Sequence, residues 1–121
     1  MSAPSTIVLI TGANSGVGYA ATSVIARASD KYHVIMASRN EEKGKKALSG
    51  VKAMEGIVAG VSTIQLDQDD GESIKRAAKE VETQFGHIDV LVNNAAIGKH
   101  AWPEFQPNYT LSQHLNRRIQ G

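Results

Sequence analysis

Short apolar runs rich in β-branched residues alternate along the chain with segments of helical periodicity. The runs are TIVLIT at 6–11, HVIMAS at 33–38, VSTIQL at 61–66 and IDVLV at 88–92. Apolar runs of this length are typical of strands that are buried on both faces. Their alternation with helices predicts a parallel sheet that carries helices on its faces.

The segments between the runs carry the helix signals. From Gly16 onward, apolar residues recur at helical spacing, and the stripe comprises Val17, Ala20, Ala21, Val24, Ile25 and Ala28. Asn40 is a candidate N-cap for a second helix, and Asp69 or Asp70 for a third that Gly86 would end. With right-handed crossovers, this order predicts a Rossmann-type doubly wound α/β fold, truncated to about four parallel strands in the order 3-2-1-4.

Three glycines follow the first apolar run within seven residues: Gly12, Gly16 and Gly18. A glycine directly after a strand permits a tight turn with positive φ, and the later glycines allow close approach of a ligand and of the helix. The helix N-terminus offers free N–H groups and a partial positive charge, which suit a pyrophosphate. The segment therefore predicts a dinucleotide site, and a glycine-rich turn without a ligand is the simpler alternative.

Two motifs resemble the short-chain dehydrogenases/reductases. TGANSGVG at 11–18 is similar to that family's cofactor loop, and NNAAIG at 93–98 is similar to its N-N-A-G motif, with Ala96 in place of the usual glycine. The resemblance covers about residues 5–98 and implies a nicotinamide dinucleotide and a small carbonyl or alcohol substrate. The cofactor-binding residues that it implies are Gly12, Asn14, Ser15, Gly16, Val17, Gly18, Arg39, Asn40, Asp67, Asn93, Asn94 and Ala95.

The end of the second strand bears on the choice of cofactor. In dinucleotide folds, an acid at this place selects NAD through the ribose 2′-hydroxyl, whereas a cation accommodates the 2′-phosphate of NADP. The segment ASRN at 37–40 contains Arg39 and no acid, which favours NADP over NAD. The alternative is that Arg39 is an ordinary solvated surface residue.

The resemblance also implies roles for three residues after the third and fourth strands. Asp67 would lie beside the adenine ring, and Asn93 and Asn94 would line the adenosine ribose. Each also has a simpler interpretation, because aspartate is common at helix caps and asparagine is common in turns.

The catalytic groups of the resembled family do not occur in this sequence. That family uses a tyrosine whose phenol, with an ordinary pKa of about 10, is stabilised as phenolate by a lysine four residues later, and a serine that orients the carbonyl. The residues four positions after Tyr19, Tyr32 and Tyr109 are Ser23, Met36 and Gln113. We therefore assign no catalytic residue.

Composition excludes several other classes of function. The chain has no cysteine, and its four histidines are not at metal-ligand spacing, so we expect no metal site. The formal net charge of +1 gives no reason to expect nucleic acid as a partner. The apolar run IVLI near the N-terminus is too short for a signal peptide or a membrane span, which predicts a cytoplasmic protein without membrane association.

The pattern divides the 121 residues into a cofactor-binding half-domain at 1–98 and a divergent or truncated tail at 99–121. The first hypothesis is an N-terminal fragment of an NADP-dependent oxidoreductase that is inactive alone. The alternative is a non-catalytic nucleotide-binding or interaction module. In either case the fourth strand would present an open edge, through which we expect self-association.

Overall fold

Strands and helices alternate throughout the part of the chain that the computed structural model describes, residues 6–94. In chain order the elements are β1 (Thr6–Thr11), α1 (Gly16–Ala28), β2 (Tyr32–Ser38), α2 (Glu41–Lys52), β3 (Gly60–Gln65), α3 (Gly71–Gln84) and β4 (Val90–Val92). All four predicted strands are present. β2 begins one residue earlier than predicted and ends where predicted, whereas β3 begins and ends one residue earlier. The predicted strand at 88–92 shortens to three residues.

The four strands form one sheet in the order β3-β2-β1-β4, and every pair is parallel. Thr11 at the end of β1 lies opposite Ala37 of β2, and Ser38 at the end of β2 lies opposite Gln65 at the end of β3. The carboxyl ends of these strands therefore meet at one edge of the sheet. The observed order confirms the predicted Rossmann-type doubly wound fold.

Alternate side chains of β1 enter two different cores. Val8 and Ile10 pack with residues of α1 and α2, including Ala26 and Val51, on one face of the sheet. Ile7 and Leu9 pack with the apolar stripe of α3 on the other face: Ile74, Ala77, Ala78 and Val81. Full burial of a large apolar side chain contributes about 1.5–3 kcal/mol, so the two cores hold the sheet between its helices.

The predicted apolar stripe of α1 is wrong in part. Val17 and Val24 are 74% and 65% exposed, while the buried residues of α1 are Gly18, Thr22, Ser23 and Ala26. These are small residues, and the Thr22 hydroxyl donates to the carbonyl oxygen of Gly18 at 2.9 Å, so its burial leaves no unmet donor. Because α1 packs closely on the sheet, its inward face carries small side chains rather than large apolar ones.

The predicted helix caps are confirmed. The side chain of Asn40 accepts a hydrogen bond from the backbone N–H of Lys43 at 2.9 Å. At α3 the cap is Asp70, whose carboxylate accepts from the N–H of Glu72 at 3.0 Å. Gly86 follows the end of α3 with φ +80°, as its predicted role requires.

Within residues 6–94, β4 pairs with β1 alone, and Val90 is 44% exposed. Self-association through this edge remains a prediction. The predicted boundary at residue 98, the tail at 99–121 and Ala95 lie outside the described residues. Among the helices within 6–94, none has the length and apolar character needed to cross a membrane.

Candidate cofactor-binding site

The loops that leave the carboxyl ends of the four strands hold the predicted site residues. The β1–α1 loop and the first turn of α1 carry the glycines. The segment after β2 carries Arg39 and Asn40, Asp67 follows β3, and Asn93 and Asn94 follow β4. Because the strands are parallel, all of these loops lie along the same edge of the sheet. Open α/β sheets bind their ligands at this edge, where the strand order reverses between β1 and β4.

The β1–α1 loop uses two of its glycines for left-handed backbone conformations. Gly12 has φ +62° and Gly16 has φ +58°, and other L-residues rarely adopt this region. Between them, Ala13 is fully buried, and its N–H donates to the carbonyl oxygen of Ala37 at 3.1 Å. The turn at Gly12 thus carries the chain across the end of β2 before α1 begins.

Gly18 is required for a different reason, which is close approach. A Cβ atom at this position would overlap the carbonyl oxygen of Gly12 and would lie 2.8 Å from Asn94 Nδ2 and 3.0 Å from the Cα of Ala13. Only a residue without a side chain lets the first turn of α1 sit against the loops after β1 and β4.

The first turn of α1 differs from the first turns of α2 and α3. Ser15 stands at its N-cap with an extended backbone, and its side chain makes no capping hydrogen bond. The first turn contains no acidic residue, whereas those of α2 and α3 each carry glutamate and a capping side chain. Ser15, Gly16 and Val17 are exposed, and Asn14 is half-buried. The partial positive charge of this helix N-terminus therefore faces outward without a neutralising side chain.

Thr11 connects the loops after β1 and β4, and sequence reasoning did not select it. Its buried hydroxyl oxygen accepts from the N–H of Asn94 at 2.8 Å and lies 3.3 Å from Asn93 Oδ1. The side-chain amide of Asn94 donates to the carbonyl oxygen of Gly12 at 3.3 Å. A polar residue that ends an otherwise apolar strand, directly before the first glycine, was the available signal.

Arg39 and Asp67 face each other across the ends of β2 and β3. Arg39 Nε lies 3.8 Å from Asp67 Oδ1, and the arginine side chain is 73% exposed. Asp67 also forms a turn, because its Oδ1 accepts from the N–H of Asp69 at 3.0 Å. The Oδ1 of the neighbouring Asn40 serves as the cap of α2. The loops after β2 and β3 therefore place the exposed guanidinium of Arg39 beside the carboxylate of Asp67.

Two further residues, which the sequence did not indicate, tie these loops to α3. The hydroxyl of Ser73 accepts from the N–H of Asp67 at 2.8 Å and donates to Gln65 Oε1 at 3.1 Å. The amide of Gln65 donates to the carbonyl oxygen of Arg39 at 3.1 Å. The residues within 6–94 contain no cluster of three or more groups suited to a metal ion.

Comparison with known proteins identifies relatives of this chain and of its fold. A family model described as short chain dehydrogenase matches residues 6–120. The chain is 40% identical over 108 residues to short-chain dehydrogenase anuI of Penicillium roqueforti, covering 88% of this chain and 40% of that protein. It is 38% identical over 99 residues to carbonyl reductase (NADPH) 1 of Mus musculus, covering 80% and 34%.

Among solved structures, menthone neomenthol reductase from Mentha piperita superimposes with a TM-score of 0.69 at 32% identity, over 78% of this chain and 33% of that one. The chain thus spans 33–40% of the length of these three proteins. Given the extent of the family match and the shared sheet, this chain belongs to the short-chain dehydrogenase family.

Proposed function

We propose that residues 6–94 bind the adenosine and phosphate portion of NADP(H), as the cofactor-binding half of an oxidoreductase that interconverts carbonyl and alcohol compounds. The observation that carries the proposal is the position of the glycine loop and of exposed Arg39 on one edge of the sheet. The similarity to a mouse carbonyl reductase whose name includes NADPH supports the same cofactor.

The pyrophosphate would lie at the first turn of α1. Its exposed residues, Ser15, Gly16 and Val17, precede or begin the helix, and no acid in that turn repels an anion. A Cβ added at Gly16 would meet nothing within 4 Å, so the backbone there is open to a ligand. Asn14, half-buried in the same loop, offers a side-chain amide to the phosphate or the adjoining ribose.

Arg39 would meet the ribose 2′-phosphate. A guanidinium pairs with a phosphate through two parallel N–H groups. Its 73% exposed side chain is accessible to a ligand, and Asp67 at 3.8 Å holds it only loosely in the absence of one. Asn40, next in the chain, would add its remaining amide group at the same place.

The segment after β4 would form the wall on the adenosine side. Two hydrogen bonds, to Thr11 and Gly12, fix Asn94 to the end of β1. The start of the segment after β4 is therefore held in place. Asn93 is exposed, and its Oδ1 accepts from Gln68 at 3.4 Å. This bond joins the loops after β3 and β4 beside the proposed adenine position.

The proposal assigns this chain the binding of the cofactor and no catalytic side chain. The nicotinamide would supply the hydride, but no tyrosine of the sequence is followed by a lysine four residues later. Hydride transfer would therefore depend on residues outside this sequence. The same observation favours a second candidate, a nucleotide-binding module without catalysis. Assays of NADPH oxidation with carbonyl compounds distinguish the two candidates, because activity would rule out the non-catalytic module.

Isothermal titration of the whole chain with NADPH and NADH tests the cofactor assignment. We expect tighter binding of NADPH, and we expect Arg39→Ala to weaken NADPH about tenfold while leaving NADH unchanged, since a charge-assisted pair is lost. Arg76→Ala, which removes an exposed arginine from α3, is the matched control. Equal affinity of the wild-type chain for the two nucleotides would overturn the assignment of NADP.

A further inference from the structure

We propose that Gln65 and Ser73 are positioning residues for Arg39, and that they set the preference for a nucleotide carrying a 2′-phosphate. The inference rests on the proposed function, because it concerns how Arg39 is held where that phosphate would bind. Neither residue needs to touch the nucleotide. Both would act by fixing the backbone from which the arginine side chain extends.

The hydrogen bonds form a continuous relay with a defined direction. The N–H of Asp67 donates to Ser73 Oγ at 2.8 Å, the Ser73 hydroxyl donates to Gln65 Oε1 at 3.1 Å, and Gln65 Nε2 donates to the carbonyl oxygen of Arg39 at 3.1 Å. One relay therefore holds the backbone of both members of the Arg39–Asp67 pair. The points from which the cation and the carboxylate extend are therefore held by the same hydrogen bonds.

The residue types suit this relay. A hydroxyl can accept and donate at once, and a carboxamide carries an acceptor and a donor on opposite sides. Ser73 is 1% exposed, so water does not compete for its hydroxyl. Because that hydroxyl already accepts from Asp67, its proton is directed to Gln65 Oε1, which turns the NH₂ group toward Arg39.

The place of the relay in the sheet explains why Arg39 needs it. Ser38 and Gln65 are the last paired residues of β2 and β3, and the N–H of Leu66 donates to the carbonyl oxygen of Ser38 at 2.8 Å. Arg39 lies one residue beyond this pairing and starts the turn into α2. The Gln65 side chain continues the cross-strand hydrogen bonding by one residue, to the carbonyl oxygen of Arg39 itself.

The test compares 2′,5′-ADP with 5′-AMP as ligands of the whole chain, since these differ at the 2′-phosphate and need no nicotinamide site. We expect Gln65→Met and Ser73→Ala to lower the preference for 2′,5′-ADP about fivefold, the worth of one hydrogen bond, with 5′-AMP affinity unchanged. Gln84→Met, at an exposed glutamine of α3, is the control that should keep the wild-type ratio. Thermal melting of each variant shows whether it is folded.

A double variant gives a readout that a purely structural role would not produce. If Gln65 acts through Arg39, then Gln65→Met should not change the ligand ratio in an Arg39→Ala background. Two results would overturn the inference: an unchanged ratio in both single variants, or an equal loss of affinity for both ligands. A wild-type chain that does not distinguish 2′,5′-ADP from 5′-AMP would instead refute the proposed cofactor preference, which is a separate failure.

Discussion

The side-chain amide of Asn94 donates to the carbonyl oxygen of Gly12 at 3.3 Å, and both groups lie within 3 Å of the position that a Cβ on Gly18 would take. Three segments that are far apart in sequence thus meet at one point: the end of β1, the first turn of α1 and the loop after β4. The missing side chain of Gly18 is what allows them to meet. The glycine-rich segment therefore contributes to the packing of the fold and is also a candidate phosphate site.

Gly18→Ala should destabilise the chain by about 1–3 kcal/mol, the usual cost of overpacking a close contact. The added methyl must displace the backbone carbonyl of Gly12, which cannot rotate away as a flexible side chain would. Urea unfolding at neutral pH measures the difference in free energy of unfolding. The loss should be accompanied by weaker nucleotide binding, because the displaced carbonyl belongs to the proposed phosphate loop.

Gly71→Ala is the matched control. Gly71 is the first residue of α3, it has no positive φ, and a Cβ there would meet nothing within 4 Å. Alanine is the better helix former, so this variant should be unchanged or more stable by up to about 1 kcal/mol. Equal stability of the two variants would contradict the close-approach role of Gly18.

Asp67→Asn should strengthen the binding of 2′,5′-ADP by up to about fivefold. The carboxylate lies 3.8 Å from Arg39 Nε, so it competes with a phosphate for that cation and would also repel the phosphate. Unit charges about 4 Å apart in water interact with about 1 kcal/mol, which sets the upper limit. Isothermal titration measures the gain, which should shrink as salt concentration rises.

Stability should hardly change in Asp67→Asn, because exposed ion pairs contribute little and asparagine can still accept from the N–H of Asp69. Asp30→Asn removes an exposed carboxylate from the loop between α1 and β2, at the opposite edge of the sheet, and should leave binding unchanged. Weaker binding in Asp67→Asn would mean that Asp67 orients Arg39 rather than competing for it.

The strands and helix caps could be predicted because they follow from local patterns, and the rule of right-handed crossovers then gave the strand order. Apolar β-branched runs, a capping asparagine at Asn40 and a helix-ending glycine at Gly86 each have one dominant physical cause. The inward face of α1 could not be predicted in the same way. Apolarity predicted that Val17 and Val24 face the core, but both are exposed. Gly18 lets the helix approach the sheet closely, so only small residues fit on the inward face.

The candidate site shows the same division. Gly12 and Gly16 were predictable because backbone positions with positive φ are usually occupied by glycine, which is visible in the sequence. Gln65 and Ser73 were not, because a relay of side-chain hydrogen bonds depends on which residues of β3 and α3 come within hydrogen-bonding distance of each other. Their types are ordinary for a strand end and a helix, so nothing in the one-dimensional pattern distinguishes them.

The junction of β1 with β4 should respond to acid through Asp89. The carboxylate accepts from the backbone N–H of Ile7 at 2.7 Å and from His87 Nε2 at 2.9 Å. The hydrogen bond from Ile7, with a smaller contribution from His87, lowers the pKa of Asp89 below its ordinary value of 3.8. A lowered carboxyl pKa stabilises the fold above the ordinary pKa, and that contribution is lost as pH falls through the folded-state pKa.

The measurement is urea unfolding of the wild type and of Asp89→Asn between pH 7 and the lowest pH at which both remain folded. The wild type should be more stable at neutral pH, and the difference should narrow from about pH 5 downward, since a protonated Asp89 resembles asparagine. Asp30→Asn removes an exposed aspartate from the loop between α1 and β2, at the same edge of the sheet as Asp89, and should give a smaller, flatter difference. A gap between wild type and Asp89→Asn that stays constant across this range would show that the carboxylate charge does not hold β1 to the segment that enters β4.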